Sequence, residues 1–568
     1  MSRVFVLLCF LLPSGVHTFV GHHQVVIGRR TASGSSGSDI TQRAPSAAWT
    51  QAATPPPPAA TRCCTELRMA SSKSKRSKKA RTATAGPTAA ATVSRDEDLA
   101  GFLRWAGEEV GVKAPKLKGS FVDGLRGLVA TQNIAKNDEM VVVPSESALV
   151  TTTDQLCPFP EWVSKDFWAS TPWQVRLALL LLREKQEGAA SELEPWISRL
   201  PESFGTPVSW SAAELSELQY PHLEAVAREQ REEWKAFYSS LMASSPGCGV
   251  AEEELSWAIG VAYSRAFSGP YEGRGPKERL AEVAFVTALA GGSLALGLGT
   301  PDQVANGAFA VLLSIPLRDF FMTKLVQLKR YALTPVVDLI NHQSGIDSDV
   351  SYNYFYGYFA VTTQRGWTAG EQVFISYGPR SNDHLLQRYG FVEKDNPNDV
   401  YRITGLIDKL SDVLGKESVR VLRESGGKLG TTGDNAEGGP VESVTVGRSG
   451  LLGEKEEAKV MPVLRLAVVK DDQLPEGKAA GISLKDFSNE LSPVNEAAAR
   501  DALRKLCIKE REGFATTLAE DEAYLSSLGN SLGAQKRVAF SFRMEKKRVL
   551  DAAIASIGTA GGGGSRDN

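Results

Sequence analysis

Three short segments carry the residues of this chain best suited to chemistry. In Gly370-Glu371-Gln372-Val373-Phe374-Ile375-Ser376-Tyr377-Gly378, Tyr377 closes a strand-like run, where a hydroxyl can project into a cleft. In Gly124-Leu125-Arg126-Gly127-Leu128-Val129-Ala130, Gly127 lets the main chain approach a ligand closely and offers main-chain groups as donors. In Thr334-Pro335-Val336-Val337-Asp338-Leu339-Ile340-Asn341-His342, an apolar run ends in an Asn-His pair at a loop. Each also has an ordinary structural reading: a turn, an Asn-capped helix end with a structural histidine, a tyrosine packed at a sheet edge. Chemistry requires the fold to bring the three together.

The intervening elements are legible from periodicity. Order should begin near Asp96, with Leu99, Phe102, Leu103 and Ala106 on one helical face. Phe121 to Ala130 reads as β structure. A turn at Lys136 to Glu139 leads into the strand Met140 to Val143. Residues 172–267 read as helical, with long apolar faces on Trp173 to Glu187 and Ala251 to Phe267. β structure returns at Tyr358 to Thr363 and, after a Thr368 to Glu371 turn, at Gln372 to Ser376. Beyond 400 the pattern is helical, interrupted by a polar, Gly-rich flexible loop at 425–450 and closed by a flexible tail at 559–568.

In order and wording, these segments resemble the SET-domain methyltransferases, in the branch of the Rubisco large-subunit lysine methyltransferases. The glycine motif, Asp338-x-x-Asn341-His342 and Ser376-Tyr377-Gly378 all match, as does Ser264-Arg265-Ala266-Phe267. The likeness runs over about 97–400 and resumes at Phe514 to Ile554, through Thr516-Thr517-Leu518 and Glu520-Asp521-Glu522. The resemblance implies an α+β fold: a SET domain of small twisted β-sheets at 96–400, with a helical region inserted at about 160–332. A helical C-terminal substrate-binding domain would follow at 401–558. It implies S-adenosylmethionine held by Arg126, Gly127, Asn341 and His342, partly through main-chain groups. Tyr377 would be the catalytic residue, with Arg265, Asp338 and Tyr389 on the substrate side. The spacing from Tyr377 to Tyr389 is one residue shorter than the family's commonest form. The implied reaction is N-methylation of a lysine on a protein partner, with Rubisco large subunit and fructose-bisphosphate aldolase both open as substrates. Protein-histidine methylation, found in a sister branch that modifies actin, and a catalytically silent binding module of the same fold are the alternatives.

Composition narrows the partners. The 568 residues carry a formal charge of −2, but residues 1–92 hold twelve Lys/Arg against only Asp39 and Glu66. The remainder has 52 basic and 64 acidic residues, about −12, a poor match for a phosphate backbone and a better one for a protein partner. Nucleic acid is not expected. Of six cysteines, Cys157, Cys248 and Cys507 lie outside the leader and none forms a C-x-x-C pair, so no metal cluster is expected.

Arg3, the apolar run Val4 to Leu12 and the small residues around Ser14 to Thr18 form a signal peptide over 1–18. Residues 19–92 have the Ser-, Ala- and Arg-rich, acid-poor composition of a transit peptide. Such a bipartite leader points to the plastid, with secretion as the alternative. Between Phe267 and Leu333 the chain departs from the family's pattern. Two uncharged stretches, Val283 to Pro301 and Gln303 to Leu317, flank Asp302. An apolar helical hairpin at 281–317 that caps the domain is favoured over membrane association, since each stretch is at or below the ~20 residues a membrane helix needs.

Overall fold

The computed structural model describes residues 89–122, 124–270, 276–324, 329–353, 357–419, 422, 441–469, 484–528 and 531–560. The signal and transit readings fall outside these residues, up to residue 88, as does the tail beyond 560.

The first helix, α1, spans Ala89–Glu108, starting seven residues ahead of the expected onset at Asp96 and taking in the end of the expected leader. It lies against β1 (Leu117–Val122), which pairs with β2 (Leu125–Ala130) in an unbroken antiparallel hairpin. β3 (Glu139–Pro144) and β4 (Leu149–Thr152) follow. A helical region then places α2 (Trp173–Glu187) against α4 (Glu252–Arg265), with α3 (Pro221–Ser244) between them in sequence. Val175, Leu177, Leu179 and Leu181 of α2 are all fully buried, so this helix is core on most of its surface. Three glutamates open α4 and Arg265 closes it, each at the end of the helix dipole it favours.

β5 (Phe267–Pro270) and β6 (Lys329–Leu333) are antiparallel neighbours, with Phe267 opposite Ala332 and Pro270 opposite Lys329. The apolar insertion is spliced between them as α5 (Pro276–Ala295) and α6 (Pro301–Lys324), so it leaves their pairing intact. Leu280, Phe285, Phe309, Leu313 and Leu317 on these helices are exposed. No helix among the described residues is long and apolar enough to cross a membrane. At the end of α5 the Leu298 N–H caps the helix on the Ser293 carbonyl at 2.9 Å.

After a single 3-10 turn, Val337–Leu339, come β7 (Asn341–His342), β8 (Ser348–Asn353), β9 (Tyr358–Thr363) and β10 (Gln372–Ile375). The strands form three small sheets, β1-β2-β10-β7, β3-β9-β8 and β4-β6-β5. Asn341 and His342, expected at a loop, lie instead in a strand parallel to β10, opposite Phe374 and Ile375.

Helix α7 (Asn382–Tyr389) leads into the C-terminal part, which has a second hydrophobic core. That part is not wholly helical. β11 (Val400–Thr404), β12 (Ser443–Gly447) and β13 (Gly450–Leu451) form a sheet, and the last two occupy the end of the stretch expected to be a loop. The physical reason is that Val441, Val444 and Val446 are buried, an apolar signal that the surrounding glycines masked. Its helices include α8 (Gly453–Ala467), α9 (Pro493–Glu512) and α10 (Ala534–Ala560), with α10 packed on α9 and on the sheet.

Candidate active site

The first sheet carries the three motifs to one place. β10 is antiparallel to β2 and parallel to β7, so the glycine segment, the Asn-His pair and the chain leading to Tyr377 are neighbours. The Asn341 carboxamide Nδ2 donates to the Arg126 carbonyl at 3.0 Å, which leaves its Oδ1 as an acceptor. A Cβ added at Gly127 would lie 2.5 Å from Gln372 Nε2 and 3.0 Å from Asn341 Nδ2, so glycine is the residue that fits.

The His342 side chain is wholly buried. Its Nδ1 accepts the Tyr377 main-chain N–H at 3.0 Å, and the two rings stack with centroids 5.0 Å apart at 26°. Burial lowers the imidazole pKa, with Glu393 pulling it the other way. The Tyr377 hydroxyl donates to the Ile340 carbonyl at 2.8 Å. Burial raises that phenol well above the ordinary tyrosine value, so it stays protonated, a donor and not a base. Tyr389, at the end of α7, places its ring centroid 4.7 Å from that of Tyr377. Gly390, next in the chain, is left-handed (φ 76°) and caps the helix; a Cβ there would collide with the Phe204 carbonyl.

Asp338 sits between two arginines, its Oδ2 3.7 Å from Arg265 Nη1 and 3.9 Å from Arg126 Nη2. Arg265 Nη1 also donates to the Asp338 carbonyl at 2.9 Å, and Arg126 Nη1 to the Arg199 carbonyl at 2.7 Å. Burial pulls the Arg265 guanidinium below its ordinary value, opposed by Asp338. Asp338 Oδ1, Arg126 Nη2 and Arg265 Nε are buried with no hydrogen-bond partner. Just before Asp338 the backbone is strained. Val336 has φ 72° and ψ −46°, and Val337 N–H bonds the Pro335 carbonyl at 2.9 Å. This is a γ-turn of the rare sign on a β-branched residue, a conformation that costs about 1–3 kcal/mol and gathers at functional sites.

Arg126, Gly127, Arg265, Asp338, Asn341, His342, Tyr377 and Tyr389 therefore form one connected neighbourhood. Sequence reading missed Gln372, which walls the glycine, and Phe204, whose ring lies 6.0 Å from the Arg265 guanidinium. Gln372 stood inside the motif that holds Tyr377, so position alone marked it; Phe204 carried no signal. Phe204 also lines a cleft of about 370 Å³ with Trp234, Trp257, Arg231 and Lys235, which none of the eight residues borders. That cleft is not where the motifs meet, and the geometry of the motifs decides the site. Among the described residues no group of three or more His, Cys, Asp or Glu could hold a metal ion.

Residues 431–550 match the family of Rubisco LSMT substrate-binding domains. The chain is 24% identical over 501 residues to the [fructose-bisphosphate aldolase]-lysine N-methyltransferase, chloroplastic, of Arabidopsis thaliana, covering 82% of this chain and 84% of that protein. It is 21% identical to the actin-histidine N-methyltransferase of Canis lupus familiaris, over 81% of this chain and 69% of the other. Its fold is similar to the crystal structure of the SET domain of LSMT bound to lysine and AdoHcy. The TM-score is 0.53 at 21% identity, over 83% of this chain and 92% of that one. The chain thus has the SET fold of the Rubisco large-subunit methyltransferase branch, with that branch's substrate-binding domain in its C-terminal part.

Proposed function

We propose that this chain is an S-adenosylmethionine-dependent protein-lysine N-methyltransferase acting on a plastid protein. The observation that carries the reading is the meeting of the glycine-bearing strand β2, the Asn-His strand and Tyr377 through bonds of 2.8 to 3.0 Å.

The residues fit the cofactor. Arg126 and Gly127 present main chain where a side chain at 127 has no room, Asn341 Oδ1 is an acceptor for an ammonium group, and His342 adds its own main-chain groups. When bound, S-adenosylmethionine supplies a methyl group activated by its sulfonium. The chain's own task is then to deliver a neutral amine in line. A lysine of ordinary pKa costs about 3.3 kcal/mol to neutralise at pH 8. The half-buried rings of Tyr377 and Tyr389 form a wall that favours the neutral amine by desolvation. The Tyr377 hydroxyl, fixed on the Ile340 carbonyl, keeps lone pairs to orient the reacting groups, and positioning supplies much of the rate. Asp338 Oδ1, buried and unbonded beside Arg265, is an acceptor on the substrate side.

Plastid delivery rests on the leader composition and agrees with the chloroplastic relative. Rubisco large subunit and fructose-bisphosphate aldolase are the proposed substrates. The test is to incubate the protein lacking residues 1–88 with methyl-labelled cofactor and a plastid extract, then map the modified residues. Label on a lysine of a plastid protein is expected. Label on histidine would replace the lysine reading, and no cofactor uptake by calorimetry would end the methyltransferase reading.

A further inference from the structure

Glu393 belongs to none of the motifs above, yet it connects the site to α10. Lys546 on α10, fully buried, donates to Asp399 Oδ1 at 2.7 Å and to Asp383 Oδ2 at 2.5 Å. Asp399 in turn accepts from the Asn382 main-chain N–H at 3.0 Å and from its Nδ2 at 2.9 Å. The Asn382 carboxamide grips the main chain of Glu393 from both sides, accepting its N–H at 2.9 Å and donating to its carbonyl at 3.0 Å. The backbone of Glu393 is therefore fixed by a buried network anchored in the C-terminal part.

Its side chain reaches the active site. Oε1 accepts the Ser344 N–H at 2.8 Å. Oε2, buried and without a hydrogen bond, lies 3.7 Å from His342 Nε2. At that separation the contact is electrostatic rather than a hydrogen bond. Two backbone groups meet the ring, the Ile375 carbonyl as an acceptor and the Tyr377 N–H as a donor, and the second has the defined bond. Nδ1 faces the Tyr377 peptide N–H at 3.0 Å, and a peptide N–H can only donate. Nδ1 must then be a lone pair, and the proton of the neutral ring sits on Nε2, toward Glu393 and the Ser344 hydroxyl at 3.4 Å.

We infer that Glu393 is a positioning residue for Tyr377. Its carboxylate favours the Nε2–H tautomer of His342, and the ring fixes the main chain from which the phenol projects. The kinetic half of this inference rests on Tyr377 being the catalytic group; the tautomer does not.

Two measurements on the full chain test it. In ¹⁵N-histidine-labelled protein, with His342 assigned by the signals lost in His342→Gln, the ring should show a protonated Nε2 and a bare Nδ1. In kinetics, Glu393→Ala should lower kcat about tenfold or more, because small misplacements of a catalytic group are costly. The KM for the protein substrate should stay within about twofold, since ground-state binding is untouched. Glu393→Gln keeps the shape but loses the charge, and its one amide oxygen cannot face both the Ser344 N–H and His342 Nε2–H, so kcat should fall toward that of Glu393→Ala. A proton on Nδ1 in the unaltered protein would overturn the inference, and that reading needs no variant to fold. Unchanged kcat in Glu393→Ala would overturn it as well. A chain that methylates nothing but shows the expected tautomer would count against the enzyme reading alone.

Discussion

Around Asp338, deep polar atoms lack partners: Asp338 Oδ1, Arg126 Nη2 and Arg265 Nε make no hydrogen bond. On α10, equally deep lysines are saturated, although in their network Asp383 Oδ1 goes without a hydrogen bond. Lys546 uses all three protons, on Asp383, Asp399 and the Val400 carbonyl. Lys547 does the same with Thr516, the Thr517 carbonyl and Asp521. Arg543 spreads its guanidinium over Asp521 and Glu217. Burial alone would lower the Lys546 pKa, but the two aspartates outweigh it and hold it above the ordinary lysine value. Saturated charge of this kind fixes one structure to another. The three unpartnered atoms gathered around Asp338 leave room for a polar group that arrives, a concentration of unmet bonds that the Lys546 network does not show.

The sharpest way to break the comparison is Lys546→Met. It strands Asp383 and Asp399 in the interior, and the chain should lose about 3–5 kcal/mol, read from the urea midpoint. If the midpoint hardly moves, the network on α10 is not a strut. Tyr377→Phe should do the reverse, abolishing turnover by about 100-fold or more while the midpoint and cofactor affinity stay close to the parent's. Near-normal methylation would remove the role given to that hydroxyl. Gly127→Ala forces a methyl against Gln372 and Asn341. It should weaken cofactor binding by about tenfold in calorimetry, with a smaller change in stability.

The pH response of His342 is subtler. Its folded pKa lies below the ordinary 6.5, chiefly through burial, so the neutral ring is favoured. The stability this adds is present above pH 6.5 and is lost as pH falls through the folded value. Thermal scans should show part of the acid-side drop in Tm disappear in His342→Gln. The smallest effect belongs to the exposed insertion, where Phe309→Ser or Leu313→Ser should change stability by less than about 0.5 kcal/mol.

Much of the site was legible because its residues sit in short, ordered motifs. Gly127, Asn341-His342 and Tyr377 could be matched by type and spacing, and the structure brings them within bonding distance. What spacing cannot convey is which side of a residue is used. Asn341 turned out to bind the chain at Arg126 with one end of its amide, and His342 to hold the Tyr377 backbone through its ring. Glu393 was invisible, since its role depends on a contact 51 residues away in sequence. The sheet β11-β12-β13 was hidden for another reason. Its middle strand is five residues long beside a Gly-rich stretch, and alternation that brief does not stand out from loop composition.

The Lys546 anchor also orders the making of the molecule. Until residue 546 has left the ribosome, Asp383 and Asp399 lack their lysine counter-ion, although the helix that ends in Tyr389 can already pack on α3 and α4. The candidate site would be completed only after α10 folds back toward it, so a nascent chain would carry its motifs well before they are fixed in place.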